Sequence, residues 1–389
     1  MWIKEYLFSL KSNIFVFIQI CLALVLINGS IGYILYQTDQ WNNMEKTDQD
    51  TYIYQYAMAA TGMFDQVETD YEKCIQKIRS LPGIDKVGEC FDPTCELNGD
   101  AGLEDSAPPI AYVMDSTVTS AVTYHVKKGR WLTETDRNAD KIYAVLSGDM
   151  AGRYQVGDHL DVSLDPGGTY EVEVVGILPR NSAVFSTHGV LASQTQESLM
   201  QPCENTVFMN HVKVFEDVKS GGFGTPNVHC IVKLNDKADE TELSKYGRLV
   251  SFAKMEQETK KQIREFIAED LEECLLWGAI ILFGVVATAY LVARKKRYVW
   301  AIYLMLGEKA SRILKMQILH NGVTYLMAMG IAVILYQFYA RKNVIMNPLS
   351  AAHVLIDFAF VVLMLVVNGF CSAYILKIEP KEILTQTKE

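Results

Sequence analysis

No Gly-x-x-x-x-Gly-Lys-Ser/Thr loop occurs in this chain of 389 residues. The backbone N–H cradle and lysine that hold nucleotide phosphates are therefore missing. A His-Glu-x-x-His zinc helix and a Gly-x-Ser-x-Gly nucleophile elbow are absent too, which removes the two commonest hydrolase signatures. His125, His188, His211 and His229 are scattered without ligand spacing and read as structural. Positive charge is short: 36 Lys and Arg face 46 Asp and Glu, for a net charge of −10. That balance lacks the clustered Lys and Arg of a nucleic-acid surface. An acidic surface of this kind chiefly confers solubility.

What the chain has instead is long apolar runs, at residues 14–36, 275–293, 318–340 and 354–376. Each has the length that carries a helix across a hydrocarbon core roughly 30 Å thick. Between the second and third runs stand Arg294, Lys295, Lys296, Arg297, Lys309, Arg312 and Lys315. Lys and Arg are retained on the cytoplasmic side, so this segment is inside and alternation puts both termini inside. Lys4 and Lys11 before the first run agree, as do Lys377, Lys381 and Lys388 after the last; Arg341 and Lys342 alone oppose it. No small-x-small site follows a short apolar core, so the first run reads as an uncleaved anchor.

The fold class expected is a membrane α-helical protein of four transmembrane helices with an α+β extracytoplasmic domain, located in the cell membrane as a multi-pass chain. The boundaries are residues 1–13 for a cytoplasmic N-terminus, 14–37 for the first transmembrane helix and 38–270 for the outer domain. Residues 271–293, 318–340 and 354–376 form the other transmembrane helices. Residues 294–317 form a cytoplasmic loop, 341–353 a short outer loop and 377–389 a cytoplasmic tail. The acidic excess lies in the outer domain, and the flanks are basic, as suits an anionic inner leaflet.

Within the outer domain, residues 51–64 suit a strand, 67–81 a helix stopped by Pro82-Gly83, and 85–91 a returning strand. Residues 98–109 read as a loop. Short strands follow at 110–114, 122–126, 142–146, 159–164, 170–178, 207–215 and 228–234. Asp165-Pro166-Gly167-Gly168 is a hairpin turn, because glycine supplies positive φ. A helix at 238–247 and a strand at 250–254 complete it. Residues 256–270 are charged, free of Gly and Pro, and run into Leu275, which predicts one continuous helix from outer domain into membrane. Five cysteines lie outside the apolar runs, Cys74, Cys90, Cys95, Cys203 and Cys230, so at least one thiol cannot pair within the chain. The Pro-containing reach from Cys90 to Cys95 could close a small disulfide loop, or leave both thiols free.

Polar residues inside the runs are the other candidates. Asp357 falls near the outer end of the fourth run, where it reaches the interface or pairs with His353 one turn earlier. Asn13, Gln19 and Asn28 should hydrogen-bond neighbouring helices, and Ala328, Ala332, Gly369 and Ala373 permit close approach.

Several stretches, in order, resemble the permease subunits of the MacB/FtsX-like superfamily of ATP-binding-cassette systems. Residues 75–87, with Leu81-Pro82-Gly83, resemble an early helix–turn–strand unit of the MacB-like outer domain. Residues 128–136 resemble its Gly-Arg-aromatic-x-x-x-x-Asp segment, here Gly129, Arg130, Trp131 and Asp136. Residues 144–151, the Val156-Gly157-Asp158 turn and the Val174-Val175-Gly176-Ile177 strand continue the pattern. Residues 294–307 resemble the basic cytoplasmic stretch that ends in Leu-Gly. Val299 and Leu304 stand there in place of the usual acidic and basic residues. The tail, with Pro380 and Leu384, resembles the Pro-x-x-x-Leu ending.

The resemblance implies a non-catalytic subunit that works with a cytoplasmic ATPase and a second permease chain, identical or not, surrounded by membrane lipid and without nucleic acid. ATP and Mg would sit on the ATPase, and no cofactor on this chain. The ATPase would dock on Tyr298, Trp300, Ile302, Tyr303, Met305, Leu306 and Gly307, which set apolar and aromatic surface beside a basic run. The activity implied is export or extraction of a peptide, lipid or antimicrobial, or FtsX-like gating of an extracytoplasmic enzyme or sensor without transport.

Overall fold

The computed structural model describes residues 10–43, 50–56, 71–98, 109–185, 200–221, 228–235, 238–243, 247–342 and 346–377. Two units divide the chain: Thr38–Arg264, and Met1–Gln37 together with Glu265–Glu389. In chain order the elements begin with α1 (Leu10–Asn42), β1 (Thr51–Tyr56), α2 (Tyr71–Ser80), β2 (Ile84–Phe91), β3 (Thr94–Leu97), β4 (Ile110–Met114), α3 (Ser116–Ala121) and β5 (Lys128–Gly129). Next come β6 (Ile142–Leu146), β7 (His159–Asp165), β8 (Thr169–Ile177), β9 (Ala183–Val184), β10 (Gln201–Pro202), β11 (Thr206–Met209) and α4 (Val212–Ser220). The chain continues through β12 (Val228–Leu234), α5 (Glu240–Leu243), β13 (Gly247–Ser251), α6 (Phe252–Met305), α7 (Ala310–Lys342) and α8 (Ala351–Leu376).

In the outer unit eleven strands form one sheet, in the order β11-β6-β8-β7-β3-β4-β2-β12-β1-β13 with β5 paired to β8, and β9 and β10 form a separate pair. A parallel pairing of β11 with β4 closes the first six strands into a ring. Alternation explains the ring wall. Leu160, Val162 and Leu164 of β7 and Tyr170, Val172 and Val174 of β8 point into one core, while Asp161, Asp165, Glu171 and Glu173 point out. Phe91, Cys95, Leu97, Val207 and Met209 fill the same core, and α4 adds Val214, Phe215 and Val218. Beyond the ring, β12, β1 and β13 extend the sheet from β2, all antiparallel. Ile75 and Ile78 of α2 are buried with Tyr54, Val87 and Val232 in a second core.

Several elements differ from the sequence expectation, each for a local reason. Residues 122–126 alternate as a strand would, with Val122 and Tyr124 buried, but carry no ladder. The preceding α3 is capped by Asp115 Oδ1 accepting from Val118 N at 2.8 Å, and backbone bonding to β8 begins only at Lys127, whose N donates to Ile177 O at 2.9 Å. The strand expected over 207–215 stops at Met209, because His211 Nδ1 accepts from Lys213 N and starts α4. The last strand runs Gly247–Ser251, and Phe252 already belongs to α6. Of the strand expected at 51–64, residues 57–64 lie outside the described residues, as does most of the loop at 98–109 and Asn13's side chain.

In the other unit, α1, α6, α7 and α8 are long and apolar enough to cross a membrane. Ile20, Leu24, Val285, Tyr325, Ala328, Ala332, Val361 and Met364 meet in one core drawn from all four helices. Ala328 and Ala332 are fully buried there, as close helix packing in lipid requires. Phe283, Phe338 and Phe370 are exposed, the disposition suited to hydrocarbon contact. The continuous helix expected from residue 256 onward is α6, which is 54 residues long and enters the membrane without a break. Its length changes the segment expected as a cytoplasmic loop at 294–317. That segment is the end of α6 and the start of α7, joined over residues 306–309.

Candidate docking surface

Gly307 makes this hairpin possible. Its φ is 88°, a conformation that costs glycine nothing. Gly307 N donates to Leu304 O at 3.1 Å and Glu308 N to Tyr303 O at 3.0 Å, the paired bonds of a Schellman cap. Glu308 then accepts from Arg312 Nη1 at 3.2 Å, one turn into the next helix.

The end of α6 has two faces. On one, Trp300 and Ala301 are buried, and Trp300 packs with Ala293, Ile313 and Ile375, with Tyr303 and Leu304 half-buried against them. On the other, Tyr298, Ile302, Met305 and Leu306 are exposed at i, i+4, i+7 and i+8, one side of the helix. Arg294 and Lys295 are exposed on that same side. Lys296 turns inward, and its Nζ donates to Gln317 Oε1 at 3.1 Å. The seven residues singled out by sequence therefore separate by role. Four present apolar surface and Gly307 turns the chain. Trp300, expected on the docking face, is instead 3 % exposed and anchors that face from behind. Tyr303 is largely on the anchoring side as well. The departure at Leu304 has a packing reason, since a basic side chain there would sit in the cluster with Trp300.

Buried polar groups in the membrane helices also differ from expectation. Asp357 neither reaches the interface nor meets His353. It is 0 % exposed and accepts from Asn28 Nδ2 of α1 at 3.0 Å. His353 Nδ1 faces Ser350 Oγ at 2.8 Å and its Nε2 faces Tyr336 Oη at 3.0 Å. Tyr336 Oη donates to Asn347 O at 2.6 Å. Gln19 and Asn28 do bond other helices, with Gln19 Oε1 accepting from Thr288 Oγ1 at 3.2 Å.

The outer-domain motifs turn out to be fold determinants. Arg130 Nη1 and Nη2 grip Asp136 at 2.5 and 2.8 Å. Asp136 Oδ2 also accepts from Thr133 N and Oγ1 at 2.8 and 2.9 Å. Burial alone would raise the Asp136 carboxyl; the bonds from Arg130 and Thr133 outweigh it and hold the group below its usual range. Gly129, at φ 80°, lies opposite Gly176, and a Cβ on Gly129 would meet Val175 O at 2.1 Å. A Cβ on Gly176 would meet Arg130 O at 2.3 Å. The two glycine motifs are thus the two sides of one close backbone crossing. In the Val-Gly-Asp turn, Gly157 N donates to Val174 O at 2.8 Å and Asp158 Oδ2 accepts from Gln155 N at 2.7 Å.

Cys90 and Cys95 are free buried thiols, so the disulfide is not formed. Phe91 and Cys95 share the ring core, and neighbours on a strand face opposite sides, which turns Cys90 away from Cys95. Burial pushes the Cys95 thiol up to about 12 and Cys90 well above its ordinary value. Among the described residues no group of three or more His, Cys, Asp or Glu side chains could hold a metal ion.

The model of the MacB-like periplasmic core domain matches residues 18–246, more than half of the chain. No curated protein matches significantly. Among solved structures, the periplasmic region of MacB from Actinobacillus actinomycetemcomitans is 12 % identical with a TM-score of 0.32, covering 54 % of this chain and 92 % of its own. The extracellular domain of the noncanonic ABC-type transporter YknZ from Gram-positive bacteria is 18 % identical with a TM-score of 0.30, covering 49 % and 87 %. A domain of a putative permease protein from Porphyromonas gingivalis is 12 % identical with a TM-score of 0.28, covering 51 % and 82 %. With four helices long and apolar enough to cross a membrane, the chain belongs to the MacB-like periplasmic core domain family, as a multi-pass permease of the MacB/FtsX-like ATP-binding-cassette type.

Proposed function

We propose that this chain couples ATP hydrolysis by a separate cytoplasmic ATPase to movement of its extracytoplasmic domain, for export or extraction of a peptide, lipid or antimicrobial. The reading rests on the exposed face of Tyr298, Ile302, Met305 and Leu306 flanked by Arg294 and Lys295. Aromatic and methionine side chains are favoured at interface cores. Fully burying such a side chain stabilises by about 1.5–3 kcal/mol, so a partner that covers this face gains several such increments before its association costs. The buried back of the same helix ends supports that face rigidly. By family likeness, two permease chains work with two ATPase subunits, which hold the ATP and Mg.

Affinity purification from native membranes tests this. The native chain should bring down an ATPase, and Met305→Asp with Tyr298→Asp should cut recovery about tenfold or more, equivalent to about 1.4 kcal/mol. Both positions are exposed, so the variants should melt with the native protein. Full ATPase recovery by that double variant would sink the docking proposal. Capture of a wall hydrolase or sensor kinase by the outer domain, with no export phenotype, would move the reading to the FtsX-like regulator.

A further inference from the structure

The first and fourth membrane helices are joined by a pair of fully buried polar side chains, Asn28 and Asp357, each 0 % exposed. Asn28 Nδ2 donates to Asp357 Oδ2 at 3.0 Å. Two oxygens of the pair, Asn28 Oδ1 and Asp357 Oδ1, are buried without any donor. Asn28 is the one hydrogen-bond partner of Asp357 among the described residues. Among the described residues, none of the titratable groups on the neighbouring helices bonds Asp357. His353 on the same helix faces Ser350 and Tyr336, and Tyr336 of α7 donates to Asn347 O. Arg341 and Lys342 at the end of α7 are exposed. On α6, Glu273 accepts from Trp277 Nε1, and neither Asp270 nor Cys274 bonds Asp357.

An ionised carboxylate here would place its charge on a single neutral N–H, inside an apolar helix bundle where burying an unpaired charge is severely unfavourable. A neutral carboxylic acid carries one O–H. That is the donor this pair lacks. With Nδ2 already on Oδ2, rotation about the broad terminal torsions of the two side chains brings the acid proton to Asn28 Oδ1. An amide–acid ring with two hydrogen bonds closes, and both orphan oxygens of the pair then have a partner.

We propose that Asp357 is held in the membrane as the neutral acid, its proton shared with Asn28 Oδ1, so that the pair is a proton-binding clasp between the first and fourth helices. Opening it transfers that one proton to water or to an aqueous base and leaves a carboxylate in the helix interface. The clasp is independent of the nucleotide reading above, since none of its groups lies on the docking face.

Infrared difference spectroscopy on the full chain in phospholipid vesicles near about pH 7 tests it, well above the ordinary aspartate range. The native spectrum should contain the C=O stretch of a protonated carboxyl that is missing in Asp357→Asn. The same band should move on carbon-13 labelling of aspartate in the unsubstituted chain, which needs no variant to fold. In Asn28→Leu it should shift to higher frequency as its hydrogen bonds are lost. Carboxylate bands in place of the C=O stretch would overturn the proposal. A band that ignores Asn28→Leu would overturn the clasp.

Discussion

Asp136→Ala should destabilise the outer domain by about 2–4 kcal/mol, and the figure follows from four bonds to one carboxylate. Asp136 is 4 % exposed. It receives both Arg130 Nη atoms, and Thr133 through N–H and hydroxyl. Stripping one partner from a buried ion pair costs about 3–5 kcal/mol. The Arg130 side chain is 46 % exposed, so water recovers part of its solvation and the ion-pair share falls to about 1–2 kcal/mol. Loss of the cap on Thr133 N adds about 1 kcal/mol, and the cavity supplies the remainder. Asp136→Asn keeps an acceptor and should cost roughly half as much. The carboxyl is held below its usual range in the fold, so its contribution is complete above the unfolded value of about 3.9 and fades as pH falls through the folded value. Thermal unfolding of the purified full chain at several pH values, followed by tryptophan fluorescence to which Trp131, packed 5.1 Å from Tyr124, contributes, reads this. The gap between native and variant should be widest near neutrality and close in acid. A native-like melting temperature for Asp136→Ala, or a gap unchanged by acidification, would refute the reasoning.

Gly129→Ala should lower stability by about 1–3 kcal/mol, because it strains φ and drives a Cβ into Val175 O. Hydrogen exchange of the β5 and β8 amides should rise locally, and an unchanged pattern would show that the crossing is slack. Cys90, Cys95, Cys203 and Cys230 are buried with thiols held above their ordinary range by burial, so maleimide should label them only after denaturation. Reductant should leave the melting temperature unchanged, and a drop would reinstate a disulfide. Trp300→Ala should cost about 3–5 kcal/mol, whereas Ile302→Ala on the exposed face should be close to neutral in the melting temperature of the solubilised chain.

The large divisions of this fold were legible in the sequence because each rests on a strong local signal. Four runs of membrane length could be nothing else, and Asp165-Pro166-Gly167-Gly168 fixed the hairpin between β7 and β8. Partnership was less legible. Residues 122–126 have the alternation of a strand, yet alternation reports which side is buried and is silent on whether a neighbour offers hydrogen bonds. The same limit applies to Cys90 and Cys95. Their spacing suggested a loop closure, while the strand period carries them to opposite faces. At the docking surface, composition identified the right segment, and helical phase then divided it, sending Trp300 inward and Met305 outward. Asp357 was misplaced because depth along its own helix was visible, but the Asn28 facing it from α1 was not. Departures from the family pattern pointed to no chemistry; Leu304 is explained by the apolar cluster it joins.

The order of strands in the sheet also sets a timetable for biogenesis. Thr51–Tyr56 leaves the ribosome early, yet its two neighbours are the last strands to emerge: Tyr52 pairs with Val232 on one side and with Ser251 on the other. The ring likewise waits for Thr206–Met209 to reach Ile110–Val113. At about 5–20 residues per second, roughly 10–40 s separate synthesis of the first strand from that of its partners. For that interval its apolar side chains lack the sheet that will cover them. The domain completes only as residues 252–305 arrive, so the helix that halts translocation also marks the moment at which the domain can close.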